Sequence, residues 1–274
     1  MNAPASNLTL RVITALVILP IVLALIWVPA LRIGLSMLVA IIVLTVMHEF
    51  YGLYRAKGIA VQEKPGLAGG LAIAFAAYLG DPAHLSAALL GATFLVGLGH
   101  VLSSAPSAAG FGGSLAGLVY AGWCPAHVLL VDQLETGRGM IMLLIVAVVL
   151  TDTAAYFCGR FLGRHALAPV VSPKKTWEGA IGGFLGAVIG AVVVAMLREA
   201  YDWTAFPAWS MQQYALTGAL ISVVAQVSDL MKSYMKRDAG VKDSGRILPG
   251  HGGALDRFDG FLLGAPVLYY MAVL

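Results

Sequence analysis

The run KSYMKRDAGVKDSGRILPGHGGALDRFD, Lys232 to Asp259, separates two apolar stretches at residues 213–231 and 258–274. It gathers lysines, arginines and aspartates into one glycine-punctuated segment of a 274-residue chain that is 59% hydrophobic and 11% charged. Soluble domains carry about a quarter of their residues as charges. A mean hydropathy of +0.86 therefore makes lipid the solvent for most of the chain. The charged run then reads as a surface loop between two membrane spans, which sets the fold class as an all-α, polytopic integral membrane protein.

Working outward from that loop, a span needs about 20 mostly apolar residues. Segments at 12–28, 33–50, 66–80, 84–102, 111–134, 139–158, 177–197, 213–231 and 258–274 meet or approach that length, so about nine transmembrane helices are expected. The third is short and rich in glycine. The first is long for a signal-peptide core and lacks a small-x-small cleavage site, so it reads as a retained span. No soluble domain interrupts the series. Residues 1–274 form a single polytopic domain, with N-terminal helices over 1–135 and the long polar loops confined to 136–274.

With nine alternating spans, Arg32, Arg138 and Arg198 face one side, and the other 14 of the 17 lysines and arginines face the side of the N-terminus. Basic loops stay in the cytoplasm. The expected orientation therefore has the N-terminus and both long loops, residues 159–175 and 232–257, at the cytoplasmic face. Cys124 and Cys158 lie within or at the end of apolar segments and read as small core residues, not a disulfide framework. Gly182, Gly186 and Gly190 recur every four residues and offer a smooth helix face. Packing within the chain is the favoured use of that face, and a homodimer contact is the alternative.

Ionisable residues at membrane depth tend to mark function. Asp152, in LTDTAAYFCGR, and Asp229, in AQVSDLMKSYMKR, fall toward the cytoplasmic ends of two spans. Each could be a site carboxylate or be neutralised by a nearby snorkelling cation. Asp256 and Asp259 are spaced i, i+3 and share a helix face. A helix N-terminus welcomes such charge, but together with Asp229 they could also hold a hard cation, since Mg2+ prefers one or two carboxylates with phosphate oxygens and water. In His251–Gly252–Gly253 the glycines free the backbone to aim N–H groups at an anion. Lys236, Arg237, Lys242 and Arg246 could anchor the loop to anionic lipid, although that use does not account for the interleaved Asp238, Asp243 and Asp256. The second loop carries SPKKTWEG, Ser172 to Gly179, whose paired lysines suit phosphate oxygens.

The stretch SYMKRDAGVKDSGRILPGHGGALDRFD, Ser233 to Asp259, closely resembles the signature of the phosphatidate cytidylyltransferases, also called CDP-diacylglycerol synthases. DTAAYFCGRFLGRH and SPKKTWEGAIGG resemble further blocks of that family. The resemblance implies that CTP and phosphatidate give CDP-diacylglycerol and pyrophosphate, with Mg2+ and possible use of a second cation, at the cytoplasmic face of the inner membrane. It implies metal binding by Asp229 and Asp256, supported by Asp259. Lys236, Arg237, Lys242 and Arg257 would neutralise phosphates, Asp243 would orient one of these bases, and His251, Gly252 and Gly253 would position phosphate or pyrophosphate. Lys174 and Lys175 would reach the nucleotide or the lipid head group, and Asp152, Ser172, Trp177 and Ser233 complete the implied substrate-binding set. The bilayer and a homodimer are further partners in this reading, and nucleic acid is not. Three positions depart from the family pattern: where GDLxES is frequent the chain has SDLMKS, placing Ser228 for glycine and Lys232 for an acid, and Ala254 replaces a larger aliphatic residue. Two alternatives remain: cytidylyl transfer to another lipid phosphate, and a transporter, for which charges paired near the midplane and inverted repeats would be expected.

Overall fold

A computed structural model describes residues 20–245 and 252–274. Residues 20–27 are helical and lead through a single 3-10 turn, Pro29–Leu31, into α1 (Arg32–Ala56). Then follow α2 (Glu63–Tyr78), α3 (Pro82–Val101), α4 (Ala108–Ala116), a π-helical segment (Gly117–Trp123), α5 (Cys124–Asp132) and α6 (Gly137–Leu162). A two-stranded antiparallel hairpin, β1 (Ala166–Ala168) and β2 (Ser172–Thr176), precedes α7 (Trp177–Tyr201), α8 (Met211–Asp238) and α9 (Leu255–Val273).

Six helical stretches among the described residues are long and apolar enough to cross a membrane: Pro29–Ala56, Pro82–Val101, Ala108–Asp132, Gly137–Leu162, Trp177–Tyr201 and Met211–Asp238. α2 has only 16 residues, about 24 Å at 1.5 Å per residue, against a hydrocarbon core of about 30 Å. Two aspartates and an arginine stand in the first turns of α9. Of the expected first span, 12–28, the part from residue 20 on is described and is helical to residue 27, and the rest lies outside the described residues.

Helix ends follow from local chemistry. α8 starts with a full capping box, in which Ser210 accepts from Gln213 N while the Gln213 side chain accepts from Ser210 N. Its last turn holds Lys236 and Arg237, which complement the negative end of the helix dipole. α7 is capped by Thr176, whose hydroxyl accepts from Gly179 N. Glu178 reaches back to accept from the backbone of Arg164 and His165 and from the His165 ring, and the long polar loop expected over residues 159–175 contains the β1–β2 hairpin, with SPKKTWEG supplying its second strand and the first residues of α7. α6 also runs three residues beyond Gly159.

The glycine face of α7 is filled from within the chain. A Cβ on Gly182 would stand 2.4 Å from Cys158 Sγ, on Gly186 2.7 Å from the Ala154 Cβ, and on Gly190 2.2 Å from Leu150 Cδ1. α6 occupies the face offered to a second copy in the dimer alternative. Gly186→Leu should therefore lower the thermal unfolding midpoint by an amount equivalent to about 1–3 kcal/mol of overpacking. An unchanged midpoint in detergent would contradict the close α6–α7 contact.

Consecutive elements run back and forth, and cross-chain contacts mark their common ends. Arg32 Nε lies 2.9 Å from Asp132 Oδ2, and Gln133 donates to Tyr78 O. At the other end Lys57 Nζ lies 2.5 Å from Asp238 Oδ2, and this bond holds the Lys57 ammonium pKa above its usual range. The second end gathers both long polar segments. A buried core containing Phe50, Tyr51, Leu143, Leu144, Tyr214 and Ile221 fixes the helices between the two ends.

Candidate active site

α8 continues seven residues past the apolar stretch that ends at Met231, which carries the start of the charged run onto a helix. Asp229, Lys232 and Lys236 thereby share one face, at successive i, i+3 and i, i+4 steps. α9 brings Asp256 and Asp259 on a matching face from the other side of the loop. Lys232 Nζ lies 2.9 Å from Asp229 Oδ1, 2.7 Å from Asp259 Oδ2 and 4.0 Å from Asp256 Oδ1, and it donates to the Asp256 carbonyl at 3.3 Å. Lys236 pairs with Asp256 Oδ1. The other Asp256 oxygen accepts from Ser244 N at 2.9 Å and from Ser244 Oγ at 3.0 Å.

The hairpin closes the cluster from the second loop. Lys175 Nζ stands 2.5 Å from Asp229 Oδ2, so the Asp229 carboxylate is held between lysines of two elements. Asp229 also opens into a cleft of about 400 Å³. That cleft is lined by Asp152, Tyr156 and Arg160 of α6, by Lys174 and Lys175 of β2, and by Gln226 of α8. Arg257 and Lys232 join Lys175 and Asp229 in the electrostatic field at Asp152. A second cleft of similar size, lined by Arg32, Asp132 and Arg138, lies at the opposite end of the helices, away from all these carboxylates.

Seven of the seventeen residues expected at the site converge. Asp229, Asp256, Asp259, Lys175 and Lys236 form one ion-pair network, and Asp152 and Lys174 line the adjoining cleft. Arg237, Lys242 and Asp243 are exposed on the last turn of α8 and the loop after it. Asp243 borders Gly252, where an added Cβ would lie 3.8 Å from Asp243 Oδ1 and 3.6 Å from Asp256 Oδ2. Gly252 has φ +82°, the left-handed region that favours glycine. Ser172 and Trp177 flank the cleft without lining it, and Ser233 is half-buried beside the network. His251 and Arg246 lie outside the described residues.

Three residues that the sequence reading passed over hold this arrangement together. Glu49 of α1 is buried and accepts from Ala254 N at 3.0 Å, Leu255 N at 2.9 Å and Ser244 Oγ at 2.9 Å. It supplies the cap that α9 lacks locally, because Ala254 at the N-cap has no side chain able to accept. The single hydroxyl proton of Ser244 is shared between Glu49 Oε2 and Asp256 Oδ2, so the serine bridges the two carboxylates. Tyr120, on the π-helical segment, donates to Ser228 Oγ at 2.7 Å, and Ser228 donates to the Asp259 carbonyl at 2.5 Å. Ser228 thus ties α8, α9 and the π segment together. The signal for Glu49 was present as a lone acid near the end of an apolar span, the same signal that singled out Asp152.

A family model described as "Cytidylyltransferase family" matches residues 9–274. A phosphatidate cytidylyltransferase of Brucella suis biovar 1 is 39% identical over 265 residues, covering 96% of this chain and 93% of the relative. One from Synechocystis sp. is 32% identical over 268 residues, covering 87% of this chain and 88% of the relative. One from Staphylococcus epidermidis is 42% identical over 137 residues, half of each chain. With the family model matching nearly end to end and the charged segments folded into one site, the chain belongs to the cytidylyltransferase family and is a nucleotidyltransferase.

Proposed function

We propose that this chain transfers CMP from CTP to phosphatidate, giving CDP-diacylglycerol and pyrophosphate, at the cytoplasmic face of the inner membrane. In the same reading the chain crosses the bilayer about nine times, with its N-terminus in the cytoplasm. The observation that carries the proposal is Asp229, a carboxylate clamped by Lys175 and Lys232 and open to a cleft that also presents Lys174 and Arg160. Tyr156, Leu167, Ala155 and Ala180 give the same cleft an apolar side, and Phe157 and Phe161 are exposed on the helix next to it. Cations beside an apolar wall at one end of a helical bundle suit a phosphate that is attached to lipid. All these charges lie at one end of the helices, whereas the transporter alternative calls for pairs near the midplane.

The phosphate monoester of phosphatidate is already an anionic nucleophile. Its oxygen attacks the α-phosphorus of CTP, the bond from that phosphorus to the bridging oxygen of the β-phosphate breaks, and pyrophosphate leaves with the electron pair. Little base catalysis is needed. The chain's task is to hold two polyanions together and to stabilise charge on the departing group. Lys174, Lys175 and Arg160 are placed to neutralise phosphate oxygens from the cleft wall. Lys236 and Ser244 hold Asp256 in one orientation, and Ser228 fixes the helix turn that carries Asp259.

The donor set fits Mg2+, because every carboxylate offers hard oxygen and Asp229 is one-third exposed at the cleft while Asp256 and Asp259 lie behind it. No group of three or more His, Cys, Asp or Glu forms a complete metal site among the described residues. Oxygens of the nucleotide and water would have to finish the coordination that Asp229 begins, with Asp256 in support. When bound, the ion supplies neutralisation of the triphosphate and of the pyrophosphate being released.

The test uses sealed membrane vesicles and purified protein. Inverted vesicles given CTP and Mg2+ should release pyrophosphate and accumulate CDP-diacylglycerol, whereas right-side-out vesicles should not until permeabilised. Purified protein should do the same with phosphatidate. Activity only with another lipid phosphate would replace the proposed acceptor. Solute uptake without nucleotide, and no pyrophosphate, would return the transporter reading.

A further inference from the structure

Lys232 differs from Lys174 and Arg160 in being turned away from the cleft and enclosed by the aspartates of α8 and α9. Lys232 Nζ is ion-paired with Asp259 Oδ2 at 2.7 Å and with Asp229 Oδ1 at 2.9 Å, and it donates a hydrogen bond to the Asp256 carbonyl at 3.3 Å. The side chain is only 9% exposed, and Asp256 Oδ1 adds a fourth oxygen at 4.0 Å. Lys174 and Arg160, in contrast, line the open cleft.

This is the environment of a small bound cation, with the cation covalently attached to α8. Asp229, Asp256 and Asp259 would repel one another if gathered with nothing between them, and a buried lysine with no partner would be costly as well. Each makes the other tenable. A divalent ion seeking both Asp229 and Asp259 would have to displace an ammonium that cannot diffuse away.

We infer that Lys232 is a resident cation of this site, filling the point between Asp229 and Asp259 that a free metal ion would otherwise take. Its role is to position the carboxylates and hold α8 to α9, not to bind phosphate. The inference rests on the reading of the cluster as a cytidylyl-transfer site. It assigns the acid-to-lysine departure a purpose: the chain assembles its carboxylates with one fewer exchangeable ion than a chain carrying an acid there.

The experiment counts ions in the absence of nucleotide. Full-length protein in detergent is titrated with Mn2+ and read by electron paramagnetic resonance, and thermal unfolding is followed with and without Mg2+. Lys232→Met, which keeps the length and removes the charge, should gain a Mn2+ site absent from wild type. Its unfolding midpoint should rise on adding Mg2+ and fall with chelator by more than the wild-type midpoint moves. Lys232→Arg should retain the wild-type ion count. An unchanged count in Lys232→Met, with a midpoint indifferent to Mg2+, overturns the inference. Should that variant fail to fold with Mn2+ present, Lys232→Glu answers the same question, and an absence of any added site there overturns it too. The two readings fail separately: no pyrophosphate from wild type removes the reaction, while an unchanged ion count with normal pyrophosphate release removes only the resident cation.

Discussion

Asp229→Asn should release pyrophosphate from CTP and phosphatidate about 10³-fold more slowly than wild type, a loss of the size seen when one group aimed at developing charge is removed. The substitution keeps the shape of the side chain and removes its charge. Two lysines then lose a partner at once, Lys175 at 2.5 Å and Lys232 at 2.9 Å. The hard anionic donor that opens to the cleft is lost with them, so the nucleotide's counter-ion has no fixed place against the hairpin. Because this role develops with the reacting phosphates, the deficit should fall mainly on kcat, with a smaller change in the KM for CTP. Raising Mg2+ should recover little of it. Steady-state pyrophosphate release over a CTP and Mg2+ grid makes the measurement, and kcat within a few-fold of wild type would remove Asp229 from the mechanism.

How far the sequence could be read depends on whether the signal was local. Hydropathy separates the apolar segments because lipid leaves a helix no alternative for its backbone, so α1, α6, α7 and α8 are all legible within a few residues of their middles. Their ends are less so. The extension of α8 to Asp238 is invisible to hydropathy, since Lys232, Lys236 and Arg237 look like loop, yet it is this extension that aligns Asp229 with Lys232. The hairpin before α7 was hidden for another reason: it is held by Glu178 bonding back to Arg164 and His165, a choice made by side chains and not by strand propensity.

The candidate site was legible as a list of residue types but not as pairings. Asp229, Asp256 and Lys175 could be nominated because charges in an apolar chain are conspicuous. Which lysine meets which aspartate depends on how α8 and α9 pack, and no spacing rule contains that. Lys232 shows the difference most clearly. From its position it reads as an extra cation beside a metal site, while its surroundings make it the counter-ion on which three aspartates converge. The Glu49 contacts were further out of reach, because they join positions 195 to 206 residues apart.

That distant contact gives the second large effect. Glu49→Gln should lower the unfolding midpoint and reduce kcat by at least about tenfold, each through the same lost acceptor. Glu49 Oε1 accepts from Ala254 N, and Oε2 accepts from both Leu255 N and Ser244 Oγ. An amide has one oxygen and one NH2 group, so either orientation sets a donor against a buried backbone donor. Leaving such a group unsatisfied costs about 1–3 kcal/mol, and a neutral amide also gives up the favourable charge at the start of α9. There is no room to relax. A Cβ on Gly253 would meet Glu49 Oε2 at 2.4 Å, and one on Gly245 would meet Oε1 at 2.2 Å, so the loop backbone already lies against the carboxylate on both sides. Displacing it moves Ser244, which otherwise holds Asp256 by two hydrogen bonds. The stability and activity effects should therefore appear together, and Ser244→Ala should reproduce part of the kcat loss with a smaller change in midpoint, because the two backbone bonds to Glu49 survive. Thermal unfolding and initial rates of both variants, measured well below their midpoints, decide the matter: a Glu49→Gln protein with wild-type midpoint and rate would mean that α9 and its aspartates are positioned without help from α1.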